Sequence, residues 1–179
     1  ISPMDQKAAP LVEDYKYLIQ YPTTANNQVK NLIRSCANTN VVVMLESGGD
    51  STYFKSVRRE LEDAGITYKT LGYGILKGRE ISTLLKGKLS TGGQNSIIVA
   101  SEKEAFASDA VRNLNILAKD SVAYRIAAYG SHRIRNFDSI EPEVFHNINM
   151  HFSMPHYVDY HNAATHDFVL SYRALFNTE

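Results

Sequence analysis

Apolar residues in this chain follow two alternating rhythms. Short continuous runs fit strands buried on both faces, and stretches with apolar residues three and four apart fit amphipathic helices. Ile1 to Pro10 shows neither rhythm and reads as an irregular lead-in. Tyr17-Leu18-Ile19-Gln20 suggests a short strand, ended by Pro22. Asn27 to Ala37 predicts a helix with Val29, Leu32, Ile33 and Cys36 at core spacing. Asn40 to Leu45, which contains VVVML, predicts a buried strand. Glu46-Ser47-Gly48-Gly49 then turns the chain, and Asp50 suits the N-cap of the next helix. That helix carries Phe54, Val57, Leu61 and Ala64 as its stripe, and Gly65 is its expected stop.

The same alternation continues to the end. Ile66 to Leu71 predicts a second strand, Glu80 to Leu89 a short helix and Ser96 to Ala100 a third strand. Ser101-Glu102-Lys103-Glu104 has the S-x-x-E form of a capping box. It precedes a helix with Ala107, Ala110, Val111, Leu114 and Leu117 on one side. Val122 to Ala128 predicts a fourth strand and Asn147 to Ser153 a fifth. Asn162 to Phe176 predicts a last helix, bearing Phe168, Tyr172 and Leu175. Strands alternating with helices in this way predict an α/β fold, a parallel sheet of about five strands with helices on both faces. Ligands in such sheets sit beyond the carboxyl ends of the strands. That rule selects the loops 46–52, 72–77, 101–106 and 129–136.

Composition narrows the function. The 179 residues suit one domain with short extensions, and 44% hydrophobic residues can build a core. Lys+Arg and Asp+Glu both number 19, so the net charge is zero. That balance argues against a partner bound by neutralising phosphates, and no nucleic acid is expected. No apolar run approaches the roughly 20 residues of a membrane span. The single Cys36 excludes an internal disulfide, and its place on an apolar helix face makes it a core residue. The chain opens in mid-phrase at Ile1, as an excised or processed piece would.

Candidate chemistry is sparse. ESGGDST is a glycine-rich turn before a helix whose backbone N–H groups suit an anion. It lacks the G-x-G-x-x-G spacing and the G-K-[ST] ending of nucleotide sites. No G-x-S-x-G elbow accompanies Ser47 or Ser51, so no hydrolase is expected. The loop Tyr129-Gly130-Ser131-His132-Arg133-Ile134-Arg135 suits a carboxylate or phosphate through its arginines, or is simply a solvated basic loop. Five of the six histidines, His146, His151, His156, His161 and His166, recur every fifth residue. Five helical steps leave neighbours about 140° apart, and five strand steps put them on opposite faces. No regular element turns this period into a metal centre, so neither a metal nor another cofactor is expected.

The order of segments resembles the type I periplasmic solute-binding proteins, the leucine/isoleucine/valine-binding type associated with ABC transporters. Ile1-Ser2-Pro3 is similar to the I-S-P that ends a first-lobe strand, and Tyr17 to Gln20 to the crossover into the second lobe. NVVVMLESGGDSTYFKSVRRELEDAGITYKTLGY and ISTLLKGKLSTGGQNSIIVASEKEAFASDAVRNL resemble the family's strand, helix and strand succession. Phe168-x3-Tyr172-Arg173 resembles its F-x3-Y-R segment. The chain is also similar to receptor-like domains joined to LysM peptidoglycan-binding modules in Bacteroides-group bacteria, although it holds no LysM sequence itself. The resemblance implies residues 1–20 as a lead-in and crossover from a first lobe, 21–150 as the second-lobe domain, and 151–179 as a hinge and returning helix. It implies a non-catalytic receptor for an amino acid or related small molecule in the periplasm or cell envelope, while the His132, Arg133 and Arg135 loop suits an anionic solute better. Peptidoglycan would be reached through a separate module. Ser47, Gly48, Gly49, Asp50, Ser51, Glu102, Tyr129, His132 and Arg133 are the candidate ligand-binding residues. The loop after the fourth strand lacks the acid with which the family holds a ligand's ammonium. The alternative is a cell-envelope interaction domain that keeps the fold without a ligand.

Overall fold

The computed structural model describes residues 23–48, 51–75, 80–120, 124–155 and 158–176. Its strands are β1 (Asn40–Glu46), β2 (Tyr68–Tyr73), β3 (Gln94–Val99), β4 (Arg125–Ser131) and β5 (Met150–Ser153). Its α-helices are α1 (Ala25–Arg34), α2 (Thr52–Asp63), α3 (Glu80–Lys86), α4 (Glu104–Ala118), α5 (Pro142–Asn147) and α6 (Ala163–Phe176), with a 3-10 turn at His132–Asn136. All four strand pairings are parallel, in the order β2-β1-β3-β4-β5. The α/β fold with helices on both faces is therefore the observed one.

The pleat explains the layers. Alternate residues of a strand face opposite sides of the sheet. Val42 and Met44 of β1 join Ile97, Val99, Phe106, Leu114 and Ile134 in one core cluster. Val41 and Val43 face the other way, onto Val29, Ile33, Val57, Leu61 and Ile98. The continuous VVVM run is apolar because both of its faces are covered. Among the described residues no helix is long and apolar enough to cross a membrane.

Several boundaries move for local reasons. Ser51, not Asp50, caps α2, its hydroxyl accepting from the Phe54 N–H at 3.0 Å. Gly65 takes φ of +66° as the expected stop. The Gly65 N–H donates to the Glu62 carbonyl at 3.0 Å, and the Ile66 N–H to the Leu61 carbonyl at 2.9 Å. This is a Schellman closure, so Ile66 still belongs to the helix end and β2 begins at Tyr68. Ala64 is the C-cap and is exposed, outside the stripe expected of it. The S-x-x-E segment forms no capping box. Ser101 accepts from the Lys103 N–H at 3.2 Å in a two-residue turn, and Lys103 caps α4 with no side-chain bond. β4 runs on through Tyr129, Gly130 and Ser131, which read as loop in the sequence. β5 extends the sheet to Ser153. The strand expected at Tyr17 to Gln20 lies outside the described residues.

The two ends of the sheet differ. At the amino end the Asn95 side chain is fully buried. It donates to the carbonyls of Ser90 at 2.9 Å and Arg125 at 3.1 Å. It accepts from the Ser90 N–H at 2.7 Å and the Asn40 amide at 2.8 Å. Thr39 donates to Ser96 at 2.8 Å beside it. At the carboxyl end Glu46 and Lys103 form a partly exposed ion pair.

Candidate functional site

The strand order reverses direction at β1, with β2 on one side and β3 on the other. In an open parallel sheet, the crevice beyond the strands' carboxyl ends at this point is where ligands are held. Two loops form it, one after β1 and one after β3. Glu46 ends β1, and its carboxylate receives the Lys103 ammonium at 2.7 Å, an ion pair across the crevice. Ser51 approaches the Ala100 carbonyl at 3.4 Å and so ties the start of α2 to the end of β3. The Ser47 N–H donates to the Tyr73 carbonyl at 2.9 Å, and Gly48 takes φ of +75° to make the turn. Gly49 and Asp50 lie outside the described residues.

The neighbouring loops add a second charged group. Glu102 accepts from the Ser131 hydroxyl at 2.7 Å and lies 3.7 Å from the Arg133 guanidinium. Ser131 also accepts from the Arg133 N–H at 3.3 Å, which starts the 3-10 turn. The Tyr53 hydroxyl is buried nearby. Desolvation first, and then the Glu102 charge, hold it protonated well above the usual tyrosine range. The rim thus carries alternating charge, with Glu46 beside Lys103 and Glu102 beside Arg133.

The structure brings together Ser47, Gly48, Ser51, Glu102 and Arg133 of the sequence candidates. Tyr129 is placed elsewhere. Its ring stacks on His151 with centroids 5.0 Å apart, and its hydroxyl reaches the Ser35 carbonyl at 3.4 Å, on the α1 face. His132 is half-buried at the start of the 3-10 turn. Arg135 leaves the rim and lines a separate cleft beside β5. Glu46, Lys103 and Ser131 were missed as site residues. All three fall inside the loops that the strand-end rule selects, but side-chain pairs 57 and 29 residues apart leave no local signal.

The histidine series is dispersed. His146 lies in α5, His151 in β5 and His166 in α6, while His161 precedes α6 and His156 lies outside the described residues. No group of three or more potential metal ligands occurs among the described residues. Cys36 is buried, and desolvation pushes its thiol up to about 11 despite an opposing hydrogen bond from Ser96. This thiol is neutral and unreactive at ordinary pH. Comparison with known proteins found no matching family model and no matching curated protein.

Proposed function

We propose that this chain is a non-catalytic solute-binding lobe whose ligand, an amino acid or related small zwitterion, sits over the carboxyl ends of β1, β3 and β4. The observation that carries this reading is the alternating charge at the topological crevice. A zwitterion presents an ammonium and a carboxylate a few ångströms apart. Glu46 with Lys103, and Glu102 with Arg133, offer the complementary pattern. Glu102 also supplies an acid beside β4, whose 3-10 turn His132–Asn136 has none. These pairs are partly exposed, and exposed ion pairs are weak, so a ligand can replace them at small cost.

Helix α6 supports a second body facing this lobe. None of its residues is buried, and Phe168, Leu170, Tyr172, Leu175 and Phe176 are all exposed. Phe168, Tyr172 and Phe176 form a ladder, with successive centroids 6.2 Å and 4.6 Å apart. An apolar face of this kind marks an interaction surface. The second reading, a cell-envelope scaffold without a ligand, is favoured by one observation: both rim acids already have partners within the lobe.

A thermal-shift screen separates the two. Leucine, glutamate, a dipeptide, peptidoglycan fragments and zinc would be added to the full-length protein. A bound ligand at about 100 times its dissociation constant stabilises by about 2.7 kcal/mol. A shift with zwitterions that disappears in Glu102→Gln supports the receptor. No shift across the panel overturns it in favour of the scaffold.

A further inference from the structure

Two clefts flank the edge strand β5, one on each face of the sheet. The cleft on the α1 side holds about 250 Å³. The other lies between the 3-10 turn, α5 and β5 and holds about 480 Å³. Small-molecule sites run from roughly 300 to 1,000 Å³, so only the second reaches that range. It is separate from the charged rim and plays no part in the function proposed above.

Its walls are aromatic. Phe145 and Phe152 meet edge to face with centroids 5.2 Å apart, and Met150 lies beside them. Its polar groups are Arg135, His146 and Asn149, whose side chains make no hydrogen bond or ion pair among the described residues. Arg133, two residues before Arg135, is matched by Glu102 at 3.7 Å. Glu143 of α5 is turned to Lys119 at 3.8 Å and Asn147 at 3.5 Å. Among the described residues Arg135 therefore has no acidic partner, and it lies beside two aromatic rings.

The backbone around the cleft is tightly specified. Asn149 turns α5 into β5 with φ of +47°, a left-handed conformation that asparagine tolerates. Its carbonyl accepts from the Ala128 N–H at 3.2 Å. A Cβ on Gly130 would come within 2.6 Å of Ile134 and 2.8 Å of Met150. The glycine thus lets the 3-10 turn and Met150 close together over β4.

We propose that this cleft binds a small aromatic monocarboxylate, with Arg135 taking the carboxylate and Phe145 and Phe152 taking the ring. A guanidinium presents a planar fork of donors that matches a carboxylate. One guanidinium balances one negative charge, which suits a monocarboxylate better than a phosphate dianion. Aromatic walls favour a ring over an alkyl chain through edge and face contacts.

Calorimetric titration of the full chain tests this with three probes. Phenylacetate carries ring and charge, phenylacetamide the ring alone, and acetate the charge alone. Phenylacetate is expected to bind and both controls to bind at least roughly tenfold more weakly. Arg135→Ala should weaken phenylacetate roughly ten- to hundredfold, and Arg135→Lys should restore part of the loss. Arg34→Ala, on the far helix α1, should leave it unchanged. Arg135 is exposed, so an unaltered thermal midpoint verifies that Arg135→Ala is folded. Absence of phenylacetate binding, equal binding of phenylacetamide, or full binding by folded Arg135→Ala would each overturn the proposal.

Discussion

At the amino end of the sheet a buried, neutral amide joins β1, β3 and β4, whereas at the carboxyl end the Glu46–Lys103 ion pair is partly exposed. Asn95 at the amino end is fully buried and makes four good hydrogen bonds, to Asn40, Ser90 and Arg125. The Lys103 and Glu46 side chains at the carboxyl end are 70% and 27% exposed. Burial makes each bond at the first end costly to lose, because an abandoned partner is left without water. Water replaces the lost partner at the second end. One end of the sheet can therefore serve stability and leave the other free to exchange its partners.

Substitutions should reproduce this asymmetry. Asn95→Ala leaves the Ser90 N–H and the Asn40 amide without their acceptor. The expected loss is about 3 kcal/mol or more in urea unfolding. A loss below about 1 kcal/mol would remove the contrast between the ends. Alkali should act on the interior next. The Cys36 thiol ionises near 9 when unfolded and near 11 when folded, and burial raises Tyr53 and Tyr73 in the same direction. The folded state thus holds protons that the unfolded state releases. Stability is full below pH 9 and falls as pH rises through about 11. Urea midpoints across this window check it, and Cys36→Ser should shift the onset upward.

Smaller effects belong to the charged end. Ser51→Ala removes the cap of α2 and should cost about 1 kcal/mol, with Ser51→Asp retaining most of it. Thermal melts of the three proteins decide this. Lys103→Ala should cost under about 1 kcal/mol, and the loss should shrink in high salt. A salt-independent loss of several kcal/mol would make the rim a structural element like the amino end.

The sheet body was legible because its strands and helices carry strong periods. The VVVML run, the α4 stripe and Gly65 each specify their element locally. What was lost lay in tertiary detail. Gly130 reads as a turn residue, yet it is a strand glycine that admits Ile134 and Met150. Ile66 reads as strand, yet its N–H closes α2. The six-residue α5 and the 3-10 turn are too short to show a period. The Tyr129 to Arg135 loop reads as one basic patch in the sequence. Its two arginines separate, because residues two apart on a tight helical turn point in different directions. The rim pairs escaped notice because nothing local links Glu46 to Lys103 or Glu102 to Ser131.

The Asn95 amide has a further consequence, for the order of folding. Its partners lie 55 residues back at Asn40 and 30 residues ahead at Arg125. Both loops must close before the side chain can hold all of its bonds, and loop closure costs entropy before any contact repays it. The full set is therefore expected to form after the barrier to folding has been crossed. Asn95 would then act as a latch on the finished sheet: its removal should speed the chain's opening and leave its closing nearly unchanged.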